Sequence, residues 1–506
     1  MEPAAPLLTL FSSGVLSLIL STVFLIVCGI FYASQMTRYL SMILWILIAI
    51  LTVLNLVLWQ LTWVGFNESI PINMFLGLKE TPFMDFYKII IFGIIWIWIM
   101  FLVICLYRRV PKRKNYFFFW VICIMSQCLL LWWHPLLRDI FSLYAETTET
   151  GPLTFKNSYL VPNLSDTNKT DGSRKNIIWI YAESLERTYL DTTIFPDLLP
   201  NITELERESI SFQNIQQSYG TGWTIAGLIA TQCGVPLVVS SQTEETMKEF
   251  MPWAVCMSDI LDKNGYKSVF MQWADGDFAS NNVFFKTHNV EFYGLKELQE
   301  TVQKKDINSW GITDDVILKI AMEKYHTLTQ NAEPFFLWIS TINTHHPNGY
   351  IPNAYKDVLY KNGGNSMLNS VHVSDRVIGE FIRTILSDDI NKNTLIVLSS
   401  DHLAMPNAAS KMLDSSPKKR NLLMYFMPGF QSWGKTLWLL DRPATMMDAG
   451  VTALDLAGID IQSLGYGRSL IRTQKTLNEQ LENKFNTSLK AWKKELESVV
   501  WETEKD

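Results

Sequence analysis

Four stretches, at residues 8–32, 40–64, 89–107 and 116–133, contain no Asp, Glu, Lys or Arg. Each is long enough, or nearly so, to cross ~30 Å of hydrocarbon at about 1.5 Å per helical residue. The run IIIFGIIWIWIMFLVICLY is apolar on every side, so it lacks the polar stripe of a helix packed on a soluble core. The sequence therefore predicts an α-helical transmembrane domain of four helices over 1–135. The charge distribution agrees. Of 43 Lys+Arg and 49 Asp+Glu in the chain, the first 135 residues hold 8 and 4. The remainder is charged and acidic, which argues against nucleic acid as a partner, because phosphate binding needs a basic face.

Orientation follows from the cations. Arg108, Arg109, Lys112, Arg113 and Lys114 crowd the loop between the third and fourth stretches, and cytoplasmic loops collect Lys and Arg. With that loop inside and an even number of spans, everything after His134 lies outside, and Trp63 and residues 67–88 face the outer side. Four of the 6 cysteines fall in apolar stretches; Cys233 and Cys256 belong to the outer half. They are the two candidates for a disulfide in an oxidising compartment, and spacing leaves open whether they pair.

Residues 136–175 read as a linker or lead-in, rich in Thr, Asn, Ser and Asp towards its end. From residue 176 short apolar runs alternate with amphipathic segments: NIIWIY (176–181), KSVFMQW (267–273), FFLWIST (335–341), TLIVLSS (394–400) and LLMYFM (422–427). This pattern predicts an extracytoplasmic α/β domain over 176–472, a largely parallel sheet sandwiched between helices, followed by a helical tail over 473–506. Ligands of such sheets bind beyond the carboxyl ends of the strands. Glu183 follows the first run, His345 and His346 the third, and Asp401 with His402 the fourth. Carboxylates with imidazole suit one divalent cation, Mn²⁺ foremost with Zn²⁺ or Mg²⁺ as alternatives. Thr224 ends the turn YGTGWT just before the apolar segment IAGLIATQC, where a helix N-terminus attracts phosphate and a cation-bound hydroxyl becomes a nucleophile. Thr221 is the competing hydroxyl, and a Thr at that point is also a common helix cap.

The segments NIIWIYAESLERTYLD, SYGTGWTIAGLIATQCGVPL, FMQWADGDFASNNVFFKTHNVEFYG, SWGITDD, TINTHHPNGY, VLSSDH and LGYGRSLI run in order from Asn176 to Ile471. In them the sequence resembles the membrane-anchored phosphoglycerol transferases of the alkaline phosphatase and sulfatase superfamily, which include lipoteichoic acid synthases and enzymes that decorate periplasmic glucans. The resemblance implies Glu183, Thr224, Asp401 and His402 around the metal, with Thr224 as nucleophile, and His345 at the phosphoryl or glycerol group. It implies phosphatidylglycerol as donor, a glycan as acceptor and a phosphorylated Thr intermediate, at a bacterial inner membrane.

One stretch departs from that family. Where related synthases carry His-Gly-Asp and Trp-Asn-Arg, this chain has WADGDFASNNVFF, which offers Asp275, Asn281 and Asn282 to the substrate. Lys286 or His288 is the candidate replacement for the missing arginine's charge, and His346 joins the substrate contacts. Two rivals share the scaffold. A sulfatase needs a Cys/Ser-x-Pro-x-Arg run, which does not surround Thr224. A phosphoethanolamine transferase uses the same core and a Thr nucleophile, and a non-catalytic sensor or assembly factor is the reading from another class.

Overall fold

A computed structural model describes residues 17–27, 30–32, 35–62, 66, 70, 87–109, 113–114, 117–144, 154–162, 174–238, 247–388, 393–427 and 438–503. They fall into two compact units, Met1–Ile70 with Pro82–Glu146, and Pro71–Thr81 with Thr147–Asp506. Trp63 and most of residues 67–86 lie outside the described residues.

The first unit consists of apolar helices α1 (Ser17–Val27), α2 (Gln35–Thr62), α3 (Tyr87–Arg109), α4 (Phe117–Trp132) and α5 (Pro135–Tyr144). Two stretches, Gln35–Leu58 and Ile90–Arg109, are long and apolar enough to span as single helices. Trp120–Trp132 and Pro135–Ser142 reach that length only as a pair bent by 44°. The described part of the first predicted span is shorter than a membrane crossing, so among the described residues the structure gives two spans, or three with the bent pair, rather than four. The bend has a plain cause: Pro135 cannot donate into the preceding turn and disfavours helical backbone at His134. Polar side chains are buried here as well, Ser41, Thr52, Gln127 and His134 among them, and these four bond across helices as apolar surroundings favour. Ser41 Oγ donates to Gln127 Oε1 (2.9 Å), and Thr52 Oγ1 lies 3.2 Å from His134 Nε2.

The second unit is built on an eight-stranded sheet. In chain order its strands are β1 (Asn176–Ala182), β2 (Ile210–Phe212), β3 (Lys267–Met271), β4 (Glu291–Tyr293), β5 (Phe335–Ser340), β6 (Thr394–Ser400), β7 (Leu423–Phe426) and β8 (Trp438–Leu440). Across the sheet they run β8-β2-β7-β6-β1-β5-β3-β4. The five strands from β6 to β4 are mutually parallel, and β7 pairs antiparallel with both β6 and β2. β1 alternates between two cores: Ile177, Trp179 and Tyr181 point into one, Ile178, Ile180 and Ala182 into the other. A strand buried on both faces reads as an unbroken apolar run, which is why NIIWIYA shows no polar alternation.

The first core is closed by α6 (Thr224–Cys233) and the helix Met447–Leu456, the second by α7 (Asp314–Thr329) and α8 (Ser366–Leu386). Cys233, the last residue of α6, is disulfide-bonded to Cys256. A final helix, Phe485–Thr503, buries Phe485, Leu489 and Trp492 in the first core, with Trp492 stacked on Tyr466 at 5.3 Å.

Candidate active site

Because β1, β5 and β6 are parallel neighbours, their carboxyl ends share one edge. Glu183 leaves β1, Asp401 and His402 leave β6, and the loop after β5 carries His345 and His346. Glu183, Asp401 and His402 are each about 1% exposed, and one ligand atom from each lies within 4.8 Å of the others.

Neighbouring backbone fixes their orientation. Ser184, held at φ 52°, donates its N–H to Asp401 Oδ1 (2.9 Å) and its hydroxyl to Glu183 Oε1 (2.8 Å). A non-glycine residue in the left-handed region is strained, and here the strain turns an N–H onto Asp401. His402 Nδ1 lies 2.8 Å from the Leu403 carbonyl, which keeps the ring proton on Nδ1. The Nε2 lone pair therefore faces Asp401 Oδ2 at 3.3 Å and Glu183 Oε1 at 3.7 Å.

Two carboxylates around an imidazole lone pair repel one another in a dry site unless a cation or a proton lies among them. Burial, and then the charge of Asp401, push the Glu183 carboxyl well above the usual carboxylate range. Glu183 Oε2 and Asp401 Oδ2 are buried and accept no hydrogen bond among the described residues. Oxygen, oxygen and nitrogen donors with unsatisfied lone pairs fit a divalent cation of the Mn²⁺ or Zn²⁺ type.

Thr224 is the first residue of α6, and the capping position falls to Trp223, whose backbone is extended and whose side chain caps nothing. The hydroxyl of Thr224 is thus not a helix cap, and the first N–H groups of α6 have no side-chain acceptor there. One turn on, at the spacing that shares a helix face, a Cβ on Gly227 would lie 2.0 Å from the Asp401 carbonyl oxygen. The first turn of α6 therefore rests directly on the Asp401 backbone. Thr221 is in a different position. It is 2% exposed, donates to the Ser218 carbonyl (3.0 Å) and accepts from Gln217 Nε2 (2.7 Å), whereas Thr224 is half-buried. Gln217 also accepts from the Leu403 N–H (3.0 Å), so one amide links the threonine turn to the Asp401–His402 loop.

His345 and His346 stack at 4.6 Å. His345 Nδ1 is 2.8 Å from the His346 carbonyl, which leaves its Nε2 as the proton-accepting end. Burial, then the charge on His346, hold His345 well below the usual histidine range; burial, then His402, bring His346 down to about 4. Their loop is anchored by Asp314, at the start of α7, whose Oδ1 accepts from the N–H groups of Ile342 (2.7 Å) and Asn343 (3.0 Å).

The remaining sequence candidates have hydrogen-bond partners outside this cluster or are exposed. Asn281 is buried and donates to Gln272 Oε1 (2.9 Å), and Asn282 donates to Asp277 Oδ1 (3.0 Å), so both tie the start of the helix Asn281–Thr287 to the segment after β3. His288 is buried beside the disulfide, with Nδ1 2.9 Å from Asp259 and Nε2 3.7 Å from Cys256 Sγ. Because Cys256 is bonded to Cys233, it offers no thiolate to the Cys256–Asp259–His288 group. Lys286 is exposed, and Asp275 is half-buried, its Oδ1 accepting from the Asp277 N–H (3.0 Å). Sequence reasoning missed Ser184, Gln217 and Asp314. Their signal was modest: polar residues next to strand ends and Gly-rich turns, in segments otherwise apolar.

The Sulfatase family model matches residues 175–459, and the model for the N-terminal domain of phosphoglycerol transferase I matches residues 14–150. Phosphoglycerol transferase I of Xanthomonas euvesicatoria pv. vesicatoria is 37% identical over 347 residues, 67% of this chain and 48% of that protein. The protein of the same name from Escherichia coli O6:K15:H31 is 36% identical over 369 residues, 72% of this chain and 47% of its own. The chain thus spans about half the length of the curated relatives it matches. Among solved structures, the lipoteichoic acid synthase LtaP from Listeria monocytogenes superposes with a TM-score of 0.50 at 16% identity, covering 68% of this chain and 96% of that one. At that identity the likeness concerns the fold alone.

Proposed function

The chain belongs to the sulfatase family, and from that footing we propose that it is a metal-dependent transferase that moves phosphoglycerol from phosphatidylglycerol to a periplasmic or cell-surface glycan, releasing diacylglycerol. The observation that carries this reading is the buried Glu183–Asp401–His402 cluster with two unsatisfied oxygens, set against the first turn of the helix that begins at Thr224. The likeness to phosphoglycerol transferases I, together with the match of residues 14–150 to the N-terminal-domain model of that protein, supports the choice of group transferred.

Glu183, Asp401, His402 and the Thr224 hydroxyl would hold one divalent cation, Mn²⁺ foremost with Zn²⁺ or Mg²⁺ as alternatives. When bound, it supplies positive charge against the phosphoryl oxygens and lowers the pKa of a bound hydroxyl. Thr224 Oγ1 attacks the phosphorus, the bond to diacylglycerol breaks, and phosphoglycerol is left on the threonine oxygen. The proton lost by Thr224 passes through His345 Nε2 to the departing diacylglycerol oxygen. In the second step a glycan hydroxyl attacks the same phosphorus, gives its proton to His345 Nε2, and the threonine oxygen leaves with that proton. Burial keeps His345 neutral, the form that can accept. The uncapped N–H groups of α6 face an anion favourably. Asp275, His346, Asn281 and Asn282 are read as lining the substrate space.

The chain is membrane-anchored through its first unit. The finer reading is a multi-pass inner-membrane protein of four spans, with Arg108, Arg109, Lys112, Arg113 and Lys114 in the cytoplasm and the catalytic unit outside, where an anchored enzyme stays beside its lipid donor. The test is to supply the purified protein with phosphatidylglycerol, a glucan and Mn²⁺. Diacylglycerol and phosphoglycerol-bearing glucan form in equal amounts if the reading holds. Modification from phosphatidylethanolamine alone would replace it with the phosphoethanolamine reaction.

A further inference from the structure

Beside the histidine pair lies an aromatic shelf that the two steps above do not use. Trp310 sits in a tight turn in which Asn308 Oδ1 accepts from the N–H groups of Trp310 (2.7 Å) and Gly311 (3.0 Å), and the Ile312 N–H donates to the Trp273 carbonyl (2.9 Å). Gly311 has φ 151°, and a Cβ there would lie 2.0 Å from that same carbonyl oxygen, so the turn closes on the end of β3 only with glycine. This places the Trp310 ring over His345, centroids 4.0 Å apart, with Phe278 (6.3 Å) and Trp273 (6.2 Å) set edge-on to it. Trp310 and Phe278 are half-buried, whereas Trp273 is 2% exposed and its indole N–H has no acceptor among the described residues. The half-buried Asp275 carboxylate follows Trp273 by two residues.

We propose that this shelf is the acceptor subsite, and that it takes a hexose ring of the glycan stacked on Trp310, with ring hydroxyls bonded to Asp275; the proposal rests on the transferase reading above. A pyranose has one face of C–H groups and a rim of hydroxyls. The electron-rich face of an indole attracts the C–H groups, and a carboxylate accepts from the hydroxyls. Glycerol, with an oxygen on every carbon, has no apolar face to match. An acyl chain needs a continuous apolar surface, and among the described residues of this unit the exposed large hydrophobic ones are Val161, Leu359 and Ile471, remote in sequence from the shelf and from one another. A sugar stacked on Trp310 also brings its hydroxyls beside His345, the proposed acceptor of their proton.

Binding of a short glucose oligomer to the full-length protein in detergent, without lipid donor, tests this by calorimetry, comparing the wild type with W310A and W310F. Trp310→Ala weakens binding roughly tenfold, and Trp310→Phe, which keeps an aromatic face, recovers most of it, with thermal unfolding confirming that both variants fold. Equal affinity in wild type and W310A, no binding by the wild type, or a W310F protein that folds yet binds as poorly as W310A overturns the proposal. Failure of the underlying reading shows separately, as no phosphoglycerol transfer by the wild type while Trp310-dependent sugar binding persists.

Discussion

Gly227 and Asp401 touch through backbone: a methyl group on the glycine would stand 2.0 Å from the aspartate's carbonyl oxygen. Helix α6 thus packs directly on the loop that supplies two of the three clustered ligands, with no side chain between.

Gly227→Ala forces that contact apart. Overpacking of this kind costs about 1–3 kcal/mol, and the displaced helix carries Thr224 away from Glu183, Asp401 and His402. Misplacement of a reacting group by about 1 Å lowers turnover on the order of a hundredfold. Thermal unfolding together with transfer rates checks both effects; a variant with normal rates would show that α6 does not set the position of Thr224.

Glu183 lies buried beside Asp401, its carboxyl pushed well above the usual range, so the metal-free protein is strained by these two groups. In chelator, Glu183→Gln therefore melts at or above the wild-type temperature. In excess Mn²⁺ the order reverses, because the wild type gains about 2.7 kcal/mol at a hundredfold excess over Kd and the variant gains little. Melting curves with EDTA and with Mn²⁺ test this, and equal Mn²⁺ shifts in the two proteins would remove Glu183 from the ligand set.

Asp314 gives a pH dependence. Burial raises its carboxyl from 3.8 to about 6 in the folded protein, so between those values the native state holds a proton that the unfolded chain has lost. Its contribution is fully present below pH 3.8 and is lost as the pH rises through about 6, a decline of about 3 kcal/mol at most. Denaturation midpoints from pH 4 to 7 should therefore fall less steeply in Asp314→Asn than in the wild type. Identical slopes would contradict this assignment.

Much of the second unit was legible in the sequence because its central strands are buried on both faces. NIIWIYA, FFLWIS and TLIVLSS are continuous apolar runs, and the parallel arrangement follows from the helical segments between them. Strands β2, β4 and β8 span three residues each, too few to show a period. The antiparallel direction of β7 depends on its connections, which composition does not reveal. Glu183, Asp401 and His402 could be found because each directly follows a strand. The partners of Asn281, Asn282 and His288, namely Gln272, Asp277 and Asp259, were not legible because the path of the loops brings them together. In the first unit, charge-free length was legible, but the fourth stretch forms a helix of only 16 residues, which reaches spanning length only with the bent helix after Pro135.

The central claim is that the Thr224 oxygen carries phosphoglycerol between lipid and glycan. Incubation of the wild type, T224A and T221A with phosphatidylglycerol and Mn²⁺, without acceptor, followed by mass spectrometry of the peptide holding both threonines, tests it directly. The account predicts a glycerol-phosphate adduct on Thr224 in the wild type and in T221A, and none in T224A. An adduct that persists in T224A, or one that forms on Thr221, would contradict it.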